Sequence, residues 1–226
     1  MCGRLNVTDD PFLQGLMSRL GMNGVLPPRA DDVAPGGAMS IVHDAGADRM
    51  LSKAVWWLLL DSTSLKPDYR YTSFNSRSDQ LSRPGSLSYQ PYRSHRCVIP
   101  ASGFVEGLGD KKHYFHIRPV EGAIAFGGIF KEWRSTETGE HVYSASIITL
   151  PPHEKLRPFH PKSMPLMLPQ SSADLNRWLD SECIDPAEFD DWLEPTLRMD
   201  LVVTPIDRAS RRNPVSESVY VHHDAA

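Results

Sequence analysis

Apolar residues near the start of the chain recur at helical spacing: Phe12, Leu13, Leu16, Met17 and Leu20 share one stripe behind Pro11. Proline suits a first helical turn, where its missing N–H would have no partner, so the pattern predicts a helix over 11–20 with Gly21 as its stop. Beyond it the period changes. Short apolar runs bounded by turn formers predict strands at 38–43, 50–60, 95–99, 102–106, 113–118, 123–130, 142–149 and 200–205. Two helices are expected late. One lies in "SSADLNRWL", capped near Ser172; the other lies in "DPAEFDDWL", with Asp185 as cap, Pro186 at the first position and Glu188 placed to close a capping box. Strand runs with helices at the margins predict an α+β fold, an antiparallel sheet or barrel core with peripheral helices. Nothing in the pattern marks a linker, so one domain over 1–226 is expected, with 221–226 as a frayed tail.

Composition narrows the class. Of 226 residues, 40% are hydrophobic and 23% charged, which is enough to bury a full core and carries no signature of disorder. Residues 1–20 hold no uninterrupted apolar run of the signal-peptide kind, and no stretch reaches the ~18 apolar residues that span a bilayer. A cytoplasmic protein without a membrane partner is therefore expected. Cys2, Cys97 and Cys183 are odd in number and lack a C-x-x-C pair, which predicts reduced thiols rather than a disulfide framework or a cysteine zinc site. "VHHD" near the end has no matching ligand spacing elsewhere, so no metal is expected.

The formal charge of −4 argues against a generic nucleic-acid binder, but it averages two unlike regions. Within 66–100, six basic residues (Lys66, Arg70, Arg77, Arg83, Arg93 and Arg96) face Asp68 and Asp79, a local +4. Within 174–200, nine acids face Arg177 and Arg198, a local −7. The basic stretch is either a solvated loop or a face that meets a polyanion.

Several side chains could carry chemistry. "MCGR" puts Cys2 first once the initiator methionine is removed, with a thiol and a free α-amine on one two-carbon frame. Asn75 lies in "SFNSRSD", Glu106 near the end of "PASGFVEG", Thr149 at the end of "SASIIT" and His160 in "RPFHPKSMP". Taken singly, an Asn in a serine-rich loop reads as a turn former, a Glu at a strand end as a solvated edge residue, and a histidine among prolines as structural.

In order along the chain, these blocks resemble the SRAP family, the SOS-response-associated peptidase-like proteins that shield abasic sites in single-stranded DNA. The resemblance runs through "MCGR", "VAPG" at 33–36, the strand with Trp56 and Trp57, "FNSR", "RCVIPASGFVEG", the strand ending in Thr149, "HPKSMPLML" and "NPVSESV". This chain departs from the pattern at Ser102, Val105 and Gly107, where the family has an acidic, an aromatic and a tryptophan residue. An extra residue also separates His160 from Met164, and Lys162 replaces an arginine whose bidentate fork an ammonium lacks.

The resemblance implies a DNA-damage protein that senses abasic sites in single-stranded DNA and crosslinks to them covalently through Cys2. Implied with it are possible lyase and autopeptidase activities, an SOS-response setting with association to the nucleoid, a monomeric state and no cofactor. An α-amine has a reference pKa of about 7.7–8.0, so part of it is neutral near neutrality and able to attack the lesion's aldehyde. The adjacent thiol then closes a thiazolidine on the imine carbon. Glu106 and His160 are assigned to proton transfer and Asn75 to positioning. Arg4, Arg77, Lys162 and Thr149 are assigned to the DNA, with Trp56 and Trp57 either stacking on unpaired bases or forming a core strand. The alternative is an N-terminal-nucleophile amidohydrolase or cysteine peptidase in which the thiol attacks a carbonyl.

Overall fold

The computed structural model describes residues 3–46 and 48–225. In chain order the elements are β1 (Arg4–Val7), α1 (Pro11–Arg19), β2 (Ala30–Val33), β3 (Ala38–Ala45), β4 (Asp48–Trp56), β5 (Asn75–Arg77), α2 (Ser78–Leu81), α3 (Tyr89–Ser94), β6 (Arg96–Ala101), β7 (Gly103–Gly107), β8 (Tyr114–Pro119), β9 (Ile124–Arg134), β10 (His141–Leu150), β11 (Met164–Pro165), α4 (Ser172–Leu179), β12 (Leu201–Ile206) and β13 (Val219–Val221). Tight 3-10 turns occupy Glu154–Leu156 and Pro186–Trp192.

Among the described residues the strands form two sheets. In one, β3 pairs antiparallel with β4 and β6, β6 with β9, and β9 with β10, while β10 returns parallel to β4. Those five strands close into a barrel, which removes the exposed edges of an open sheet. β10 outruns the barrel, and its end pairs parallel with β5 and antiparallel with β11. The second sheet is antiparallel in the order β13-β12-β8-β7-β1-β2. β6 and β7 sit in different sheets with only Ser102 between them, so the chain carries the "RCVIPASGFVEG" block from the barrel into the second sheet within one residue.

Side-chain caps open α1 and α4, whereas α2 and α3 have none. Asp10 accepts the Leu13 N–H at the start of α1. At its other end Gly21 takes a φ of 75°, and bonds from Met22 N to Met17 O and from Gly21 N to Ser18 O close the turn. Ser171, one residue earlier than expected, caps α4 through the Asp174 N–H. Asp185 caps as expected, but the residues after it form the 3-10 turn, and the Glu188 carboxylate takes the Arg177 guanidinium instead of closing a box. The strand expected over 50–60 stops at Trp56. The apolar run continues, but its backbone turns to another partner, with Leu58 N donating to Ser73 O. Hydrophobicity marks burial there, not sheet pairing.

The tail expected over 221–226 is held as far as Asp224. Val221 completes β13 opposite Leu201, His223 N donates to Asp200, and the Asp224 carboxylate accepts the Leu197 N–H. Among the described residues no helix is long and apolar enough to cross a membrane.

Candidate functional site

β7 runs between β1 and β8, so its side chains are covered from both flanks. Glu106 stands opposite Phe115 of β8 and is 5% exposed. Burial strips water from its carboxylate and pushes the pKa up to about 7. His160 arrives from the barrel side on a tight turn: its N–H donates to Leu156 O, while the Phe159 ring packs edge-on against Phe115, 5.2 Å between centroids. Its Nδ1–H donates to the Gly107 carbonyl at 2.7 Å and lies 3.4 Å from Glu106 Oε2. A carbonyl only accepts, so Nδ1 carries the proton and Nε2 faces the other way, 3.5 Å from Ser163 Oγ. Burial lowers the imidazole's pKa, outweighing the bond to Gly107, and the Lys162 ammonium acts in the same direction as burial.

Gly107 is more than a departure from the family pattern. A Cβ there would stand 2.7 Å from the His113 carbonyl oxygen, because β7 and β8 approach closely where they turn. The backbone that supplies the acceptor for His160 is thus one that only glycine fits.

The barrel brings the basic residues to the same end. β5 lies beside β10 with Asn75 opposite Ile147 and Arg77 opposite Thr149. Arg77, Thr149, Lys162 and Ser163 together line a cleft of about 460 Å³ that also takes in Ser78 and Asp79. On the far side of β5, Asn75, Ser76 and Arg77 line a second, smaller cleft with Thr72, Ser73 and Gln80. Arg77 therefore stands on the ridge between two clefts. It is exposed, and Asp79 holds it through Nε at 3.0 Å; that contact keeps the aspartate's pKa below the usual carboxylate range. Arg4 pairs in register with Val105, next to Glu106, and its guanidinium meets Asp32 on β2. Cys2 lies outside the described residues.

The structure assigns Trp56 and Trp57 to the interior. Trp56 is fully buried, donates Nε1–H to Phe74 O and sets its ring edge-on to Phe74; Trp57 donates to Asp68 O and packs against Tyr69 and Phe74. Neither offers a ring face for a base, since each is covered by the 66–74 loop it holds in place. The exposed aromatics of that loop are Tyr69 and Tyr71. Sequence reasoning missed Ser163 and Asp79. Asp79 was visible two residues after Arg77, and Ser163 is one of the residues in the lengthened histidine block.

A buried acid–histidine pair thus lies beside a cleft lined by Arg77, Asp79 and Lys162. The family model described as SOS response associated peptidase (SRAP) matches residues 1–212, and the chain belongs to that family. Among similar proteins, the abasic site processing protein YoqW of Bacillus subtilis is 28% identical over 202 residues, covering 86% of this chain and 87% of its own. The abasic site processing protein HMCES of Xenopus tropicalis is 26% identical over 168 residues, covering 63% of this chain and 50% of its own. Crystal structures of proteins from Bordetella bronchiseptica (TM-score 0.64, 15% identity, all of both chains) and Bacteroides thetaiotaomicron (TM-score 0.66, 20% identity, 90% of this chain and 92% of that one) share the fold.

Proposed function

We propose that this protein processes abasic sites in single-stranded DNA by joining its N-terminal Cys2 covalently to the lesion. The observation that carries this reading is the Glu106–His160 pair, 3.4 Å apart and buried, opening beside a cleft that presents Arg77, Lys162 and Thr149. The family and the names of its relatives support it.

Each step rests on proton accounting. The neutral α-amine of Cys2 attacks the open aldehyde, giving a carbinolamine whose hydroxyl must leave as water. Glu106, with a pKa of about 7, is part protonated at neutrality, so it supplies the proton to that oxygen and its carboxylate then takes the proton from nitrogen. The thiol adds across the C=N bond: sulfur bonds to carbon and the thiol proton ends on nitrogen, for a net loss of one water. His160, with Nδ1–H fixed on Gly107, exchanges protons through Nε2 on the 3′ side and in the reverse reaction. Asn75 positions the amine or sugar, and Arg77, Arg4 and Lys162 bind phosphates. An abasic site carries no base at the reacting position, so the grip is on the backbone. The protein works as a monomer in the cytoplasm.

Intact mass before and after incubation with an oligonucleotide carrying one abasic site tests this, with Cys2→Ala alongside. A protein lighter by one methionine, followed by an adduct that Cys2→Ala cannot form, is the expected result. A protein beginning at Cys2 that forms no adduct would turn attention to the peptidase chemistry in the family's name.

A further inference from the structure

The turn that delivers His160 is tied to a part of the chain beyond residue 212, where the family match ends. Asp224 is the knot. Its Oδ2 accepts from His153 Nε2 at 2.9 Å and from Leu197 N at 2.8 Å, and its Oδ1 accepts from Lys155 Nζ at 2.8 Å. Lys155 Nζ also donates to the carbonyls of His222 and His223, each at 3.0 Å, and Asp224 N donates to Leu197 O. His153 Nδ1 accepts the Lys155 N–H, so Nε2 carries the proton given to Asp224 and the ring orientation is settled at both nitrogens.

These bonds hold His153, the residue that caps the 3-10 turn beginning the His160 segment, and Lys155 in the middle of that turn. From there the chain is short and stiff: Arg157 N donates to His153 O, and Phe159 N and His160 N both donate to Leu156 O. A displacement at His153 or Lys155 therefore passes to the His160 ring through a few residues, one of them the buried Leu156. Burial works against ionised Asp224, but the bonds from Lys155 and the Leu197 N–H bring its pKa down to about 2. The Asp224 carboxylate therefore stays ionised near neutrality.

The geometry points to Asp224 as a positioning residue for His160, acting through Lys155 and His153. This rests on the proposed role of His160 in the abasic-site reaction. Without the clasp, the turn frays and Nδ1 loses its steady alignment on the Gly107 carbonyl, at the site where a shift of about 1 Å is enough to slow proton transfer.

Asp224→Ala and Lys155→Met cut the clasp from opposite sides and are tested in the full chain. In hydrogen exchange both variants should speed the amides of residues 156–160 about tenfold and leave the barrel strands as they were. The imidazole nitrogen spectrum should show His160 moving from one Nδ1-protonated tautomer to a mixture. Adduct reversal should slow about tenfold, with Asp224→Ala/His160→Ala no slower than His160→Ala alone. Unchanged exchange and tautomer in both variants, protection lost over the whole chain in both, or a double variant slower than His160→Ala would each overturn the assignment. Should the wild-type protein form no adduct, the functional reading fails by itself, and the exchange and imidazole measurements still decide whether Asp224 positions His160.

Discussion

Glu106 keeps a proton that an exposed carboxyl would lose, and that has a consequence for stability. Its pKa is raised in the folded protein to about 7 by burial, so the native state binds the proton more tightly than the unfolded chain does. The sign is fixed: native stability falls as pH rises from the usual carboxylate range through 7, by roughly 3 kcal/mol from this group. Glu106→Gln removes the titration, so urea unfolding at pH 5 and pH 8 should show the wild type losing stability relative to the variant. The same substitution should slow adduct formation at least tenfold while leaving single-stranded DNA affinity within about twofold. Gly107→Trp, which restores the family's residue, should destabilise by about 2 kcal/mol or more, because its Cβ falls 2.7 Å from His113 O. Denaturant midpoints measure it; a stable Gly107→Trp protein would mean that β7 and β8 part easily there.

At the scale of elements, one arginine staples two helices to the barrel. Arg96 opens β6 and is 3% exposed. Among the described residues it forms no ion pair; its nitrogens donate instead to the carbonyls of Tyr92, Arg93, Trp178, Asp180 and Cys183, while its plane lies over Phe189. Four of these carbonyls lie at or near the C-terminal ends of α3 and α4, where backbone oxygens lack helical partners and the dipole favours a cation. Arg96→Met would leave those carbonyls buried without donors and should cost about 3 kcal/mol, measured by urea unfolding. Arg96→Lys should recover less than half of that, since an ammonium cannot reach carbonyls on both helices.

For the molecule as a whole, net charge misleads and distribution decides. The acidic stretch lies on α4 and the turn after it, where Asp174 serves the α4 cap and Glu188 takes Arg177, while Arg77 and Lys162 line the cleft beside His160 and Arg4 pairs with Val105, next to Glu106. Single-strand binding should therefore weaken with salt despite a formal charge of −4. Arg77→Ala should weaken affinity evenly across base sequences and reduce the slope of log K against log salt by about 0.7, the share of one phosphate contact. An unchanged slope would place the strand elsewhere on the surface.

Local information determined much of this protein. The helix over 11–20, the caps at Asp10, Ser171 and Asp185, and the barrel strands arise from spacing and residue type, because each depends on neighbours a few positions away. The order of the short blocks from "MCGR" to "NPVSESV" is likewise a property of the sequence, and it led to the family. What depended on distant partners was legible only in the fold. The same apolar run served strand β4 and a buried loop, so Trp56 and Trp57 could be placed inside only once the 66–74 segment was seen covering them. The high pKa of Glu106 comes from its burial on a strand inside the second sheet, and the proton position on His160 comes from a carbonyl 53 residues away. The clasp at Asp224 joins residues about 70 positions apart, a separation at which sequence pattern carries no signal and only the closed tertiary structure sets the distance.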